Sequence, residues 1–189
     1  MDCGLINIMR KFNGLRPQDI VLLLKLAVNG SRLQWQGKEL AQALDLSTSE
    51  VSDSLARCRH SRLLSADPQR FAVQGPALRD LLLHGLPYIF AVRPGPFSRG
   101  VATGASALPL SQTFGTEPAY VWPDAEGDTW GTAIDPLYAG VPDAARRDDR
   151  LHEVLALVDA LRLGRPRERA VASKLLNDYL PIYPVHDAE

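Results

Sequence analysis

"KELAQALDLSTSEVSDSLARCRHSRLL", residues 38–64, decides how this chain is read. At its centre Ser47 to Glu50 is S-x-x-E, a capping box in which the serine accepts from the amide of Glu50 and the glutamate returns to the amide of Ser47. A helix therefore begins at Thr48, with Val51, Leu55 and Cys58 on its buried face at i, i+4, i+7. Upstream, "GKELAQALDL" is a second helix that turns Leu40, Ala43 and Leu44 to one side. Before it, Pro17 suits a first helical turn, and "QDIVLLLKLAV" is apolar on nearly every face until Asn29-Gly30 stops it. Such a helix belongs in the middle of a small domain. "RLQW" (32–35) reads as a short strand. "RLLSADPQRFAV" (62–73) reads as two short strands around an Asp67-Pro68 turn.

Three helices followed by a β-hairpin is the winged helix-turn-helix order. The stretch resembles the DNA-binding domain of MarR-like winged-helix regulators. "ELA" stands on the positioning helix, Leu44 to Ser47 form the turn, "S-x-S-x-V-S" enters the recognition helix and "LL" enters the wing. The resemblance covers roughly residues 15 to 75. It implies binding to double-stranded DNA, with the third helix in the major groove and its N-terminal turns at base edges. Thr48, Ser49, Ser52 and Arg57 point away from the Val51/Leu55/Cys58 stripe and are the reading candidates. Arg59, His60 and Arg62 come late in the helix or just past it, where phosphates are the targets. Arg70 follows the wing turn and reaches phosphate or a minor groove. Gln36 and Lys38 would steady the second helix on the backbone. Two departures from the family stand out: Asp53 on the reading face repels phosphate and accepts at best from a cytosine amine, and Ser61-Arg62 replaces the glycine that usually precedes "LL".

The rest of the chain changes texture. Residues 87–142 are rich in Pro and Gly. "PYIFAV" (87–92) is a strand candidate, "RPGPFSRGVATGASALPL" (93–110) reads as a loop, and "AYVW" and "TWGTAI" flank "PDAEGD" as a β-hairpin. Residues 143–180 are helical again. Leu151, Val154, Leu155, Val158 and Leu161 form one stripe, Gly164 ends that helix, and Pro166 opens the next, giving an antiparallel helical hairpin. The expected fold class is therefore α+β: a winged helix-turn-helix over 1–86, then an α+β domain over 87–189 for partner binding, sensing or dimerisation.

Charge follows the same division. The 189 residues carry a formal net charge of −1, which excludes coating nucleic acid by bulk charge alone. Through Phe90 there are 11 basic against 8 acidic side chains, and beyond it 10 against 14. Two cysteines, Cys3 and Cys58, make no disulfide framework. With no cleavable signal and no apolar run long enough for a bilayer, a cytoplasmic protein without membrane contact is expected.

Chemistry-bearing motifs are sparse. "SRGVATGASA" (98–107) matches no phosphate-binding spacing and reads as a surface loop, with Arg99 as its charge. "LRLGRPRER" (161–169) places Arg162, Arg165, Arg167 and Arg169 around a helix-helix turn, where they could hold an acidic partner, although a solvated turn is the plainer reading. Asp148 and His152 stand i, i+4, but two ligands do not make a metal site, and Cys58 falls on a packed face. No catalytic residue, metal or cofactor is expected.

The leading expectation is a DNA-binding transcriptional regulator and homodimer, with a C-terminal half that dimerises or binds an effector or partner; the Leu151–Leu161 stripe either supplies the dimer interface or is taken up by the protein's own core, the ordinary fate of such a stripe. The alternative is an adaptor similar in plan to antitoxins of bacterial abortive-infection systems. There the C-terminal half, through Arg99 and the arginine turn, holds a partner protein, and DNA binding is autoregulatory or lost.

Overall fold

The computed structural model describes residues 14–29 and 35–180. Cys3 and the first three residues of the expected "RLQW" strand lie outside them. The class is α+β, with helices around a small three-stranded sheet.

Helix α1 (Pro17–Val28) has proline in its first turn, and the Asp19 carboxylate accepts from the Arg16 amide at 2.8 Å. From Asp19 to Val28 every residue is buried, as expected of a helix with no polar face. Helix α2 (Gly37–Leu44) ends at Asp45, which takes a left-handed conformation (φ 53°) that Asp tolerates better than most residues. Helix α3 (Thr48–His60) starts on the expected reciprocal cap. The Glu50 amide donates to Ser47 Oγ at 3.2 Å and the Ser47 amide to Glu50 Oε2 at 3.0 Å. The Ser47 amide first, and then the Ser47 hydroxyl, which donates to the same oxygen at 2.9 Å, hold the exposed Glu50 carboxyl below its ordinary range. The segment after α3 folds back as a minimal hairpin with one bridge, Leu64 to Val73. The Gln69 amide closes its tip on Asp67 Oδ1 at 2.9 Å.

Beyond the hairpin, α4 (Gly75–Asp80), a π-helical turn (Leu81–Gly85) and α5 (Leu86–Ile89) run on without a break. "PYIFAV" is thus not a strand: Pro87 to Ile89 end a helix, with Pro87 in the first turn of α5, and Phe90 to Val92 leave it as irregular chain. The expected loop instead contains β1 (Phe97–Thr103). β2 (Tyr120–Pro123) and β3 (Thr129–Ala133) do not form a hairpin. Each runs antiparallel to β1, with Thr103 opposite Tyr120 and Phe97 opposite Thr132, and the two pair in parallel with each other, closing a small barrel. Glycine makes that closure possible. A β-carbon on Gly100 would lie 2.0 Å from the Trp122 carbonyl oxygen, and one on Gly127 would lie 2.1 Å from the Gly100 backbone. A short helix α6 (Ser111–Phe114) lies between β1 and β2.

Helices α7 (Val141–Arg146), α8 (Asp149–Leu163) and α9 (Pro166–Leu175) complete the chain. α8 packs against α1, α5, α7, α9 and β1, and Leu151, Val154, Leu155, Val158 and Leu161 are at most 2% exposed. Of the two uses open to this stripe, it is the protein's own core and not a dimer interface. The apolar cluster also runs unbroken across the expected boundary at residue 86, because α1 fills the space between α3 and α8.

Polar bonds cross the same boundary, among them one from Arg79 Nε to Asn177 Oδ1 at 2.9 Å. The Tyr138 hydroxyl donates to the Leu44 carbonyl. Lys25 of α1 donates to Asp148 Oδ2 at 2.5 Å, while Asp148 Oδ1 caps α8 through the Leu151 amide at 3.1 Å. Burial alone would raise the Asp148 carboxyl, but the Lys25 and Leu151 bonds more than offset it and hold the group below its ordinary value of 3.8. Its stabilisation is complete above that value and disappears as pH falls through the lower folded one. In urea unfolding, wild type should exceed Asp148→Asn by a constant margin near pH 6, and that margin should shrink below about pH 4. A margin that grows on acidification would contradict the pairing.

Candidate nucleic-acid interface

The expected reading face lies on the first turns of α3. Thr48, Ser49, Ser52 and Asp53 are exposed, whereas Val51, Ser54, Leu55 and Cys58 turn inward. Ser49 is partly engaged, its hydroxyl 3.3 Å from Ser47 Oγ in the cap. Gln36 and Lys38 are exposed at the start of α2, His60 and Arg62 at the end of α3, and Arg70 beside the hairpin tip. Arg62 has a positive φ of 58°, the position at which glycine would be easiest. One polar surface thus runs from α2 through α3 to the hairpin.

Two of the expected contact residues are occupied elsewhere. Arg57 turns back into the protein, its Nε and one terminal nitrogen each 2.7 Å from an oxygen of Asp19. Asp19 is fully buried and also accepts from Ser54 Oγ at 2.5 Å, so Arg57 is the counter-charge without which the carboxylate would stand alone in the core. The paired carboxylate raises the Arg57 pKa further. Arg57 is therefore not a base-reading residue. Arg59 is a brace: its guanidinium donates to the Pro68 carbonyl at 3.1 Å and lies 5.8 Å from the Phe71 ring centroid. It fixes the hairpin against the end of α3 and does not reach outward to phosphate.

The arginine turn divides similarly. Arg162 bonds the Phe90 carbonyl at 2.8 Å, the Asp135 carbonyl at 3.2 Å and Asp159 Oδ1 at 2.6 Å, with a side chain only 5% exposed, so it clamps the core and offers nothing to a partner. Arg99 donates through Nε to the Gly127 carbonyl at 2.5 Å and holds the barrel closed. Arg167 lies over Phe114 at 5.6 Å, and the Arg169 chain packs on Gly164. Arg165 is exposed and edges a small cavity of about 150 Å³ with Tyr120 and Glu168.

Asp148 and His152 do not meet. Asp148 is held by Lys25, and His152 Nε2 lies 2.7 Å from the Ala102 carbonyl oxygen with its ring against Trp122. Burial raises the Cys58 thiol far above its ordinary value, which keeps it an inert packed group. No cluster of metal-binding side chains occurs among the described residues, and no helix among them is long and apolar enough to cross a membrane.

Sequence reasoning did not foresee a cleft of about 590 Å³ in the C-terminal half. Its walls come from segments as far apart as Val101 and Glu153, which no local spacing brings together. Comparisons with protein-family models, curated proteins and solved structures found no match to this chain.

Proposed function

We propose that the chain binds double-stranded DNA as a MarR-like winged helix, with α3 as recognition helix and the Leu64–Val73 hairpin as wing, and acts as a transcriptional regulator. The observation that carries this reading is the unpacked polar start of α3 beside a hairpin that Arg59 holds in place. Thr48, Ser49 and Ser52 face base edges there, and the helix N-terminus favours phosphate. Gln36, Lys38, His60, Arg62 and Arg70 position the domain on the backbone. Asp53 biases the interface against dense phosphate contact. No catalytic step is proposed. Two half-sites favour a homodimer, formed by surfaces other than α8.

Fluorescence anisotropy on a duplex from the gene's own upstream region, against a shuffled duplex at several salt concentrations, tests the proposal. The native duplex should bind more tightly, with affinity falling linearly in log salt. Ser52→Ala should reduce discrimination, while Arg62→Ala and Arg70→Ala should weaken both duplexes and lower the salt slope by about 1 each. Equal, weak binding to both duplexes would refute the reading.

A second reading, an antitoxin-like adaptor, draws on one observation. Phe97 and Trp130 are 71% and 58% exposed and stack with centroids 6.1 Å apart, an aromatic pair of the kind that anchors protein interfaces. A stoichiometric partner recovered with wild type and released by Trp130→Ala would favour it.

A further inference from the structure

Four of the five large apolar side chains that stand exposed among the described residues, Tyr88, Ile89, Phe97 and Trp130, belong to one strip of surface. Its backbone is pinned. Arg162 spans the carbonyls of Phe90 and Asp135, at 2.8 and 3.2 Å, the Gly95 amide donates to the Ala133 carbonyl at 2.7 Å, and the Ala133 amide donates to the Pro96 carbonyl at 2.8 Å. The chain from the end of α5 to the start of β1 therefore lies along β3, with Phe97 opposite Thr132 and stacked on Trp130. The four side chains together expose roughly 600 Å², as much as the largest apolar patch of an ordinary monomer and most of the about 800 Å² that each partner of a stable pair buries.

Two features select the occupant. A closed barrel has no strand edge to offer, and Pro94 and Pro96 carry no N–H, so an extended peptide cannot be added to the strip by backbone pairing. The charges within the strip are Arg93 and Asp135, both exposed and in no ion pair among the described residues. A patch with one charge of each sign is complementary to itself across a two-fold axis. We propose that the strip is a homodimer interface, a choice of occupant that rests on the DNA-binding reading, in which two half-sites call for two copies of the chain and the α8 stripe is already core. Phe97 and Trp130 form its apolar centre, and Tyr88 and Ile89 extend it. Arg93 of one protomer meets Asp135 of the partner subunit, and the axis repeats the pair.

Sedimentation equilibrium of the full chain without DNA, over a wide range of concentration, tests the proposal. Wild type should be a dimer. Trp130→Ala should weaken the dimer by at least about tenfold with the far-UV circular dichroism spectrum unchanged. Arg93→Asp and Asp135→Arg, both at exposed positions, should each weaken it too, since each sets like charges opposite one another. An equimolar mixture of those two variants should recover wild-type association as a heterodimer. A wild type that stays monomeric, or a dimer that Trp130→Ala and Arg93→Asp both leave undiminished, overturns the inference. So does a monomer that carries a different protein released by Trp130→Ala, which gives the strip to the adaptor reading. The samples contain no DNA, so failure here is distinct from failure of the anisotropy measurement.

Discussion

Arg57→Ala should lower the stability of the protein by roughly 3–5 kcal/mol, a loss of roughly 6–20 °C in Tm for a chain of this size. The cause is Asp19, which is fully buried and loses both bonds at 2.7 Å when the guanidinium is removed. Ser54 Oγ and the Arg16 amide remain, and two neutral donors do not replace the counter-charge of a carboxylate in a core. The loss would be read by urea denaturation. Asp19→Leu/Arg57→Met should recover most of it, because removing both charges also removes the cost of burying them. A stable Arg57→Ala protein with weakened base discrimination would show that the side chain faces DNA after all. The distinction matters for any scan of α3, since reduced DNA binding by Arg57→Ala would otherwise be mistaken for a lost base contact.

Asp159→Ala should cost a similar amount, roughly 3–5 kcal/mol. This carboxylate, 2% exposed, accepts from Thr103 Oγ1 at 2.9 Å, Trp122 Nε1 at 2.6 Å and Arg162 at 2.6 Å, and so ties the barrel to α8. Burial pushes its carboxyl up against the opposing pull of these partners. Its removal strands the Arg162 charge and the Trp122 indole N–H together. Asp159→Asn keeps an acceptor and should lose less. Near-UV circular dichroism should follow the loosening of Trp122 in the order wild type, Asn, Ala. An Ala variant as stable as wild type would mean that the network is dispensable.

The parts legible in the sequence are those that local chemistry fixes. Ser47 and Glu50 are three residues apart and cap α3 without help from the rest of the chain, and Asp67-Pro68 marks its turn in the same way. β1 was hidden because Gly100 and Gly104 look like breakers, whereas Gly100 is needed where β1 crosses the Trp122 carbonyl. "PYIFAV" shows the ambiguity of a short apolar run, which fits strand or helix until its neighbours decide. The β2–β3 turn gave no hint that both strands would take β1 as antiparallel partner. Of the candidate interface, exposure on α3 could be read from periodicity, but the inward turn of Arg57 could not. Its only signal was an acid, Asp19, inside an apolar helix, which demands a counter-charge without saying which one. The cleft left no signal, since its walls come from separate segments.

Helix α1 bears Asp19 toward α3 and Lys25 toward α8, and all of its apolar residues are covered from both sides. The two halves are therefore not interchangeable cassettes. A fragment ending near residue 86 would present Lys25 without its carboxylate and an apolar helix without its cover. Grafting these first 86 residues onto another C-terminal half requires a matching acid and a matching apolar face, so the two halves are constrained to change together.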